Sequence, residues 1–91
     1  MLEANFTGRF RRDYKSAIRR GLDISLLDGI IRDLVNEVPL PKSNNDHALT
    51  GNWKPRRECH VKADWLLIYQ LDKEDGIIIF ERTGTHSDLF G

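Results

Sequence analysis

The three histidines of this chain all lie in its second half, among acidic, basic and aromatic side chains. Histidine titrates near neutral pH, so it suits acid–base catalysis without help from its surroundings. The forked, permanently charged guanidinium of arginine suits a phosphate group. The cluster is made up of Asp46, His47, Arg57, Glu58, His60, Asp64, Trp65, Arg82 and His86. Without serine–histidine or metal-type spacing, this set predicts metal-free acid–base chemistry on a phosphodiester.

Composition limits the class of protein. Ninety-one residues predict one small domain, residues 1–91, and 40% hydrophobic with 31% charged residues is typical of a soluble globular protein. The single cysteine, Cys59, excludes an internal disulfide framework and favours the reducing cytoplasm. The longest apolar run, Trp65 to Tyr69, is too short to cross a bilayer, so no membrane association is expected. The formal net charge is zero.

Positive charge is nevertheless concentrated near the N-terminus. Between Arg9 and Arg20 there are six basic residues against one acid, Asp13. This segment is either a solvated helix face or a surface that binds phosphates or an acidic partner in a salt-dependent way. On the second interpretation, the phosphate-binding residues in it are Arg11, Arg12, Arg19 and Arg20.

The first half of the chain predicts a short strand followed by a helical hairpin. Leu2 to Phe6 is the strand, and a helix begins at Thr7. Its apolar face has the spacing of Phe6, Phe10, Tyr14, Ala17 and Ile18. Gly21 ends this helix. Asp23 or Ser25 caps a second helix, with Ser25 and Asp28 at capping-box spacing, and Pro39 and Pro41 end it. Its apolar stripe consists of Leu27, Ile30, Ile31, Leu34, Val35 and Val38.

The second half predicts three antiparallel strands. Alternation over residues 56–62 places Glu58 and His60 on one face, residues 65–71 are apolar on both faces, and residues 77–82 form the last strand. Residues 72–76 are an acidic hairpin loop, and the chain ends in a turn and a short tail. The expected fold is α+β: a strand, a helical hairpin and an antiparallel meander, with the helices on one sheet face.

Other interpretations of these residues stay open on this evidence. Each histidine alone could be an ordinary surface residue. His60, Asp64 and His86 could be three zinc ligands, although no cysteine pair or helical histidine pair supports this. The helical hairpin could be a DNA-binding motif, but its second helix is acidic on the exposed side. Trp53 and Trp65 are either core residues or platforms for stacked bases.

Four segments in the second half closely resemble the YafQ-type branch of the RelE/ParE toxin superfamily. They are the run from Asp46 to Lys54, Arg57-x-x-His60-Val61, the run from Asp64 to Tyr69, and the run from Phe80 to Phe90. The resemblance implies a toxin of a type II toxin–antitoxin module that cleaves mRNA in the ribosomal decoding site. It also implies a cognate antitoxin as partner in a hetero-oligomer, and the ribosome with its mRNA as target. No cofactor or metal is expected.

The resemblance implies catalytic positions at His47, His60, Asp64, Arg82, His86 and Phe90. In the implied reaction a ribose 2′-OH attacks its own phosphate, leaving a cyclic phosphate and a 5′-OH. We expect His60 or His47, oriented by Asp64, as base and His86 as acid.

The remaining expected contacts are to phosphate and bases. Arg82, assisted by Arg57, would stabilise the phosphate charge, while Phe90 and Trp65 would hold bases. Lys54 is a further expected RNA contact. A ParE-like toxin that inhibits DNA gyrase without chemistry is the competing function, and a purely structural partner-binding module is a third.

Overall fold

The computed structural model describes residues 1–91 and contains five strands and three α-helices. In chain order they are β1 (Glu3–Phe6), α1 (Gly8–Arg19), α2 (Ile24–Val35), β2 (His47–Ala48), β3 (Arg57–Lys62), β4 (Trp65–Asp72), β5 (Ile77–Gly84) and α3 (His86–Phe90). Single turns of 3₁₀-helix, Lys42–Asn44 and Gly51–Trp53, lie on either side of β2. No helix has the length and apolar character needed to cross a membrane.

The strands form one mixed sheet in the order β1-β5-β4-β3-β2. β2 to β5 are antiparallel neighbours, as predicted for β3 to β5, whereas β1 pairs with β5 in parallel, with Glu3 opposite Ile77. A parallel pair needs a long connection, which the two helices and the intervening strands supply. The α+β class is confirmed. The parallel edge and β2 were not predicted, because two to four residues give too little periodicity.

The helical hairpin covers one face of the sheet, as predicted. Phe10 and Ala17 of α1 and Leu27 and Ile30 of α2 are buried in the main core. Alternate residues of the strands complete it: Cys59, Trp65, Leu67, Tyr69, Ile78 and Phe80. The opposite face carries α3, which was predicted only as a turn and tail; its Leu89 packs on Leu66 and Ile68. The two predicted helices thus share one face of the sheet, and the third helix, α3, which was not predicted, lies on the other face.

The helix ends follow local hydrogen bonding. Thr7 caps α1 by accepting a hydrogen bond from the Phe10 amide at 3.0 Å, and Gly21 follows the helix with a φ of +79°. Asp23 caps α2 through the Ser25 amide at 3.1 Å, so Ser25 and Asp28 do not form the predicted capping box.

Two apolar positions predicted for the helix faces lie elsewhere. Ile18 is 52% exposed, because one residue beyond Ala17 the helix has turned about 100° away from the sheet. Val38 lies beyond α2, which ends at Val35 before Glu37 adopts a φ of +60°.

A bulge between β4 and β5 sets the position of Arg82. Tyr69 pairs with Phe80 and Ile68 pairs with Arg82, so Glu81 is an extra residue in β5. This irregularity shifts every later residue of β5 relative to β4. Strand periodicity alone could not place Arg82 for this reason.

Candidate active site

The sheet register brings His47, His60 and Arg82 to the face opposite α1 and α2. Leu66 lies between His60 of β3 and Gly84 of β5, while Ile68 lies between Glu58 and Arg82. His47 of β2 is opposite Glu58. Residues as far apart in sequence as His47 and Gly84 thus form two adjacent rows across the sheet, and α3 begins at His86, just after β5 ends.

Asp64, in the turn between β3 and β4, holds His86 at the first position of α3. Its Oδ1 accepts a hydrogen bond from the His86 amide at 2.9 Å and from the His86 Nδ1–H at 2.6 Å. The backbone hydrogen bond first, and then the side-chain one, lower the pKa of Asp64 below its usual value. With Nδ1 engaged, Nε2 of His86 is the nitrogen left for chemistry. The prediction that Asp64 orients the base His60 or His47 does not fit this geometry.

Glu58 occupies the place by His47 and His60 that was predicted for Asp64. Its carboxylate is nearly buried, and its Oε1 lies 3.6 Å from Nε2 of His47 and 3.6 Å from Nε2 of His60. The Nδ1–H of His47 donates to the Asn45 carbonyl at 2.7 Å, which directs Nε2 towards Glu58. The sequence analysis included Glu58 in the polar cluster, on the same strand face as His60, but assigned it no catalytic role.

The two candidate acid–base groups, His60 and His86, lie close together on this face of the sheet. The rings of His60 and His86 are 6.0 Å apart between centroids, and His86 is exposed to solvent. Phe90 lies 6.4 Å from the His86 ring and 5.0 Å from Trp53, against which it packs edge-on. Trp53 therefore holds Phe90 in place, and Phe90 is still accessible because it is 44% exposed.

Arg82 is on the site face, but its guanidinium is already engaged. Its Nε and a terminal nitrogen donate to the two oxygens of Asp13 in α1, at 2.7 and 3.3 Å. The same carboxylate accepts from the Thr83 amide at 3.2 Å. The hydrogen bond that Arg82 donates to the Asp13 carboxylate raises the pKa of Arg82. Sequence reasoning missed Asp13, although it is the one acid within the basic segment and that contrast was the available signal.

Trp65 and Arg57 do not lie where their predicted roles require. Trp65 is 4% exposed in the main core, and its indole N–H donates to Thr83 Oγ1 at 3.0 Å, so no base can stack on it. Arg57 points to the other side of β3, where its Nε is 3.4 Å from Asp46. Alternation along a strand puts Arg57 and His60 on opposite faces, which removes Arg57 from the phosphate site.

The basic segment is divided in the structure. Arg11, Arg12 and Arg19 are exposed and form no ion pair. The same is true of Lys54, in the loop before β3. Arg20 instead donates to both oxygens of Asp88 in α3, at 2.6 and 3.2 Å.

Asp88 is also part of the cap of α3. It accepts from the Thr85 amide at 3.0 Å, which completes a capping box. The hydrogen bond from Arg20 is the main cause of its lowered pKa. Arg20 therefore fixes the helix that carries His86 and Phe90.

A basic groove that sequence reasoning missed leads to this site. It is lined by Thr7, Arg9, Asn52, Trp53, Arg56, Glu81 and Arg82. Three arginines face one acid there, Arg56 being paired with Glu81 at 2.8 Å. Trp53 connects the groove to Phe90 and, through it, to His86. Basic side chains beside an aromatic one are the type of lining that binds single-stranded nucleic acid.

Three side chains of the site could hold a metal ion. Ligand-type atoms of Glu58, His60 and His86 all lie within 4.8 Å of one another. Asp64, which the sequence suggested as a ligand, instead accepts a hydrogen bond from Nδ1 of His86.

Comparison with known proteins identifies the family to which this arrangement belongs. The family model described as "Bacterial toxin of type II toxin-antitoxin system, YafQ" matches residues 2–91. The chain belongs to the YafQ toxin family. The predicted resemblance is confirmed, and it extends over the N-terminal half, where only the architecture had been recognised from the sequence.

Individual YafQ relatives match over almost their whole length. The chain is 42% identical over 90 residues to the mRNA interferase toxin YafQ of Escherichia coli (strain K12), covering 98% of this chain and 96% of that protein. A crystal structure of the E. coli DinJ–YafQ complex has a TM-score of 0.91 at 41% identity and covers both chains fully. A copper-bound variant of a toxin from Helicobacter pylori has a TM-score of 0.92 at 41% identity, covering 99% of this chain and 100% of that one.

Proposed function

We propose that this protein is a ribosome-dependent endoribonuclease, the toxin of a type II toxin–antitoxin module, with its activity in the single domain of residues 1–91. Membership of the YafQ family and the name mRNA interferase of its E. coli relative support this function. The observation that carries it is the pair of histidines 6.0 Å apart, one held by Asp64 and the other facing Glu58. Two titratable groups in different environments provide an acid and a base.

His86 is the general acid in this proposal. Its Nδ1–H is held by Asp64, so Nε2 is the atom that delivers a proton to the leaving 5′ oxygen. Asp64 also stabilises the imidazolium before the proton is given up. The exposed position of His86 allows an RNA strand to reach it.

The base is His60 or His47, and Glu58 is the carboxylate that faces both. Removal of the 2′-OH proton by either Nε2 leaves an imidazolium 3.6 Å from Glu58 Oε1, a favourable contact in a nearly buried place. His60 is the closer partner of His86 across the site. Base and acid then act on opposite sides of one phosphate.

Arg82 supplies positive charge to the pentacoordinate phosphate. Asp13 engages its Nε and one terminal nitrogen, which leaves further N–H donors of the guanidinium for phosphate oxygens. Asp13 therefore fixes the orientation of the Arg82 guanidinium. No metal or cofactor is needed for this scheme, since the histidines and Arg82 supply protons and charge.

Base contacts are assigned to Phe90 with Trp53. Phe90 is exposed and supported edge-on by Trp53, so its free face is available for stacking. Lys54 and the arginines of the basic groove follow the RNA backbone. The exposed Arg11, Arg12 and Arg19 bind ribosomal RNA phosphates.

An antitoxin and the ribosome are the proposed partners, which places the protein in the cytoplasm. The E. coli relative is found in a complex with DinJ, and the family model describes toxin–antitoxin systems. We propose that this chain likewise forms a hetero-oligomer with a cognate antitoxin. Inhibition of gyrase, the competing function, gains no support from relatives that are named mRNA interferases.

The test expresses the protein in cells and reads both possible targets. Primer extension on cellular messages should show discrete new 5′ ends with the wild type and none with His86→Gln, while plasmid supercoiling stays normal in both. His86 is exposed, so the variant keeps its fold. Intact messages together with blocked gyrase would overturn the proposal.

A further inference from the structure

We propose that Tyr69 is a positioning residue of the candidate active site, and that its hydroxyl group acts through Asp46 to direct the ring of His47. Tyr69 is 1% exposed on the core face of β4, so RNA cannot reach it. Its role rests on the proposed function, because it concerns how His47 is held for the cleavage reaction.

The strand that carries His47 is too short to hold it firmly. β2 has two residues at the edge of the sheet, where His47 lies opposite Glu58 and Ala48 lies opposite Arg57. An edge strand of this length makes few backbone hydrogen bonds. Side-chain contacts of the neighbouring residues must then supply the rest of the support.

Asp46, directly before β2, is anchored on the sheet face opposite the His47 ring. Its Oδ1 accepts a hydrogen bond from the Tyr69 hydroxyl at 2.5 Å and lies 3.4 Å from Arg57 Nε. Burial, and then the hydrogen bond to Asp46, raise the pKa of Tyr69, so the hydroxyl stays protonated and donates at neutral pH. Asp46 is 29% exposed, so the buried tyrosine is the fixed partner of the pair.

This anchored residue lies between the His47 ring and the carbonyl group that holds the ring. The Nδ1–H of His47 donates to the Asn45 carbonyl at 2.7 Å, and Asp46 is the residue between them in the chain. A carbonyl oxygen can only accept, so Nδ1 carries the proton and Nε2 keeps its lone pair in the neutral ring. Nε2 is the nitrogen that faces Glu58 at 3.6 Å and that can accept the 2′-OH proton.

Asn44 holds the other side of the same turn. Its side-chain amide donates to the His60 carbonyl at 2.7 Å, and Asn45 follows with a φ of +46°. The contact from Asn44 to β3 and the contact from Asp46 to β4 therefore fix the backbone on both sides of Asn45. Loss of the Tyr69 hydroxyl should release the side that carries His47.

The contact is tested by NMR on the full chain with Tyr69 changed to phenylalanine. Tyr69→Phe removes the hydroxyl, keeps the ring in the core and leaves no buried donor without a partner, while Asp46 can turn to water. Imidazole nitrogen shifts, measured where the ring is neutral, should report the Nδ1–H tautomer of His47 in the wild type and a mixture of tautomers in Tyr69→Phe. Asp46→Asn retains an accepting oxygen and should keep the wild-type tautomer. An unchanged His47 tautomer in Tyr69→Phe would overturn the proposal.

Tyr14→Phe is the matched control. It also removes a tyrosine hydroxyl that donates to an aspartate, Asp28, at 2.7 Å, but it does so on the helical hairpin, away from β2. It should leave the His47 tautomer and the cleavage rate as in the wild type. Amide NMR spectra establish that each variant is folded. If Tyr69→Phe does not fold, Asp46→Ala decides, because it breaks the same contact from the more exposed partner and should give the same tautomer mixture.

Cleavage of ribosome-bound message shows whether the contact serves the reaction. Tyr69→Phe should lower kcat at least about threefold, but by less than the about 10²–10⁴-fold contribution of a general acid or base. KM should stay unchanged, because the buried hydroxyl does not touch the substrate.

A double-mutant cycle with His47→Gln tests whether Tyr69 acts through His47. In the His47→Gln protein, Tyr69→Phe should lower kcat no further, because the ring that it directs is gone. Equal kcat in Tyr69→Phe and the wild type, or the same loss with and without His47, would overturn the positioning role. If the wild type does not cut at all, the proposed function fails, while the tautomer measurement still decides whether Tyr69 holds His47.

Discussion

One oxygen of Asp64 accepts two hydrogen bonds from His86, from its backbone amide at 2.9 Å and from its Nδ1–H at 2.6 Å. This contact fixes both the start of α3 and the ring that begins it. The tautomer of the candidate acid is therefore set by a residue 22 positions away, in the turn between β3 and β4. Arg20 and Asp13 make the corresponding contacts that hold α3 and Arg82.

Asp64→Asn should lower the cleavage rate without unfolding the protein. The amide oxygen of asparagine can still accept both hydrogen bonds, but it is uncharged and cannot stabilise an imidazolium as a carboxylate does. We expect a loss in kcat smaller than the about 10²–10⁴-fold loss of His86→Gln, with little change in KM. Single-turnover rates on ribosome-bound message measure this. Equal kcat in Asp64→Asn and the wild type would show that Asp64 does not support the acid.

The Asp64–His86 contact should survive mild acid. The pKa of Asp64 is lowered in the folded protein, mainly by the His86 amide, so the contact is fully present above the ordinary carboxyl pKa. It is lost only as pH falls through the lower folded value. The amide chemical shift of His86, followed by NMR from neutral to acid pH, should change below the ordinary range for aspartate. A midpoint at or above pH 4 would contradict the assignment.

Arg20→Gln should disorder α3 more than it destabilises the whole protein. Arg20 joins the end of α1 to Asp88, which also caps α3, and the pair is exposed enough to add little to global stability. Amide exchange should speed up in α3, and cleavage should fall with an almost unchanged melting temperature. Unchanged exchange in α3 would rule out this role.

Asp13→Asn should weaken catalysis by releasing Arg82. Its carboxylate accepts three hydrogen bonds, two from Arg82 and one from the Thr83 amide. Hydrogen bonds to charged groups contribute roughly 1.5–3 kcal/mol, so we expect lower stability and a lower cleavage rate. Asp33→Asn on α2 is the control. A rate equal to that of the wild type would mean that Arg82 needs no positioning by α1.

The exposed arginines of α1 should matter for ribosome binding and not for the fold. Arg11, Arg12 and Arg19 form no ion pair, so changing all three to glutamine leaves the core and α3 in place. Ribosome affinity should fall and depend less steeply on salt concentration. Arg20 is kept, because its loss would also disturb α3. Affinity equal to that of the wild type would assign this surface to the antitoxin or to solubility.

The sequence predicted the long elements well and the short contacts poorly. Helix and strand periodicity identified α1, α2, β3, β4 and β5, because each buries a repeating apolar face. It could not identify α3, whose five residues carry one buried side chain, Leu89. Nor could it place Arg82, since a bulge shifts its register.

The carboxylates were the least predictable part of the site. Glu58 and Asp64 are both near histidines in sequence, and only the turn after β3 decides that Asp64 reaches His86 while Glu58 faces His47 and His60. Asp13 contacts Arg82 across 69 residues of chain, and no local pattern encodes that pair. Trp65 looked suited to stacking because it follows Asp64, but strand alternation turns it into the core.

The central claim is metal-free cleavage of ribosome-bound message with His86 as acid. It is tested most directly by one cleavage assay on a defined message, either naked or held in the ribosomal decoding site, with analysis of the product ends. We predict that the wild type cuts only the ribosome-bound message, leaving 2′,3′-cyclic phosphate and 5′-OH ends, and that His86→Gln cuts neither. Equal cutting of naked and bound message, 5′-phosphate products, or full activity of His86→Gln would contradict the account.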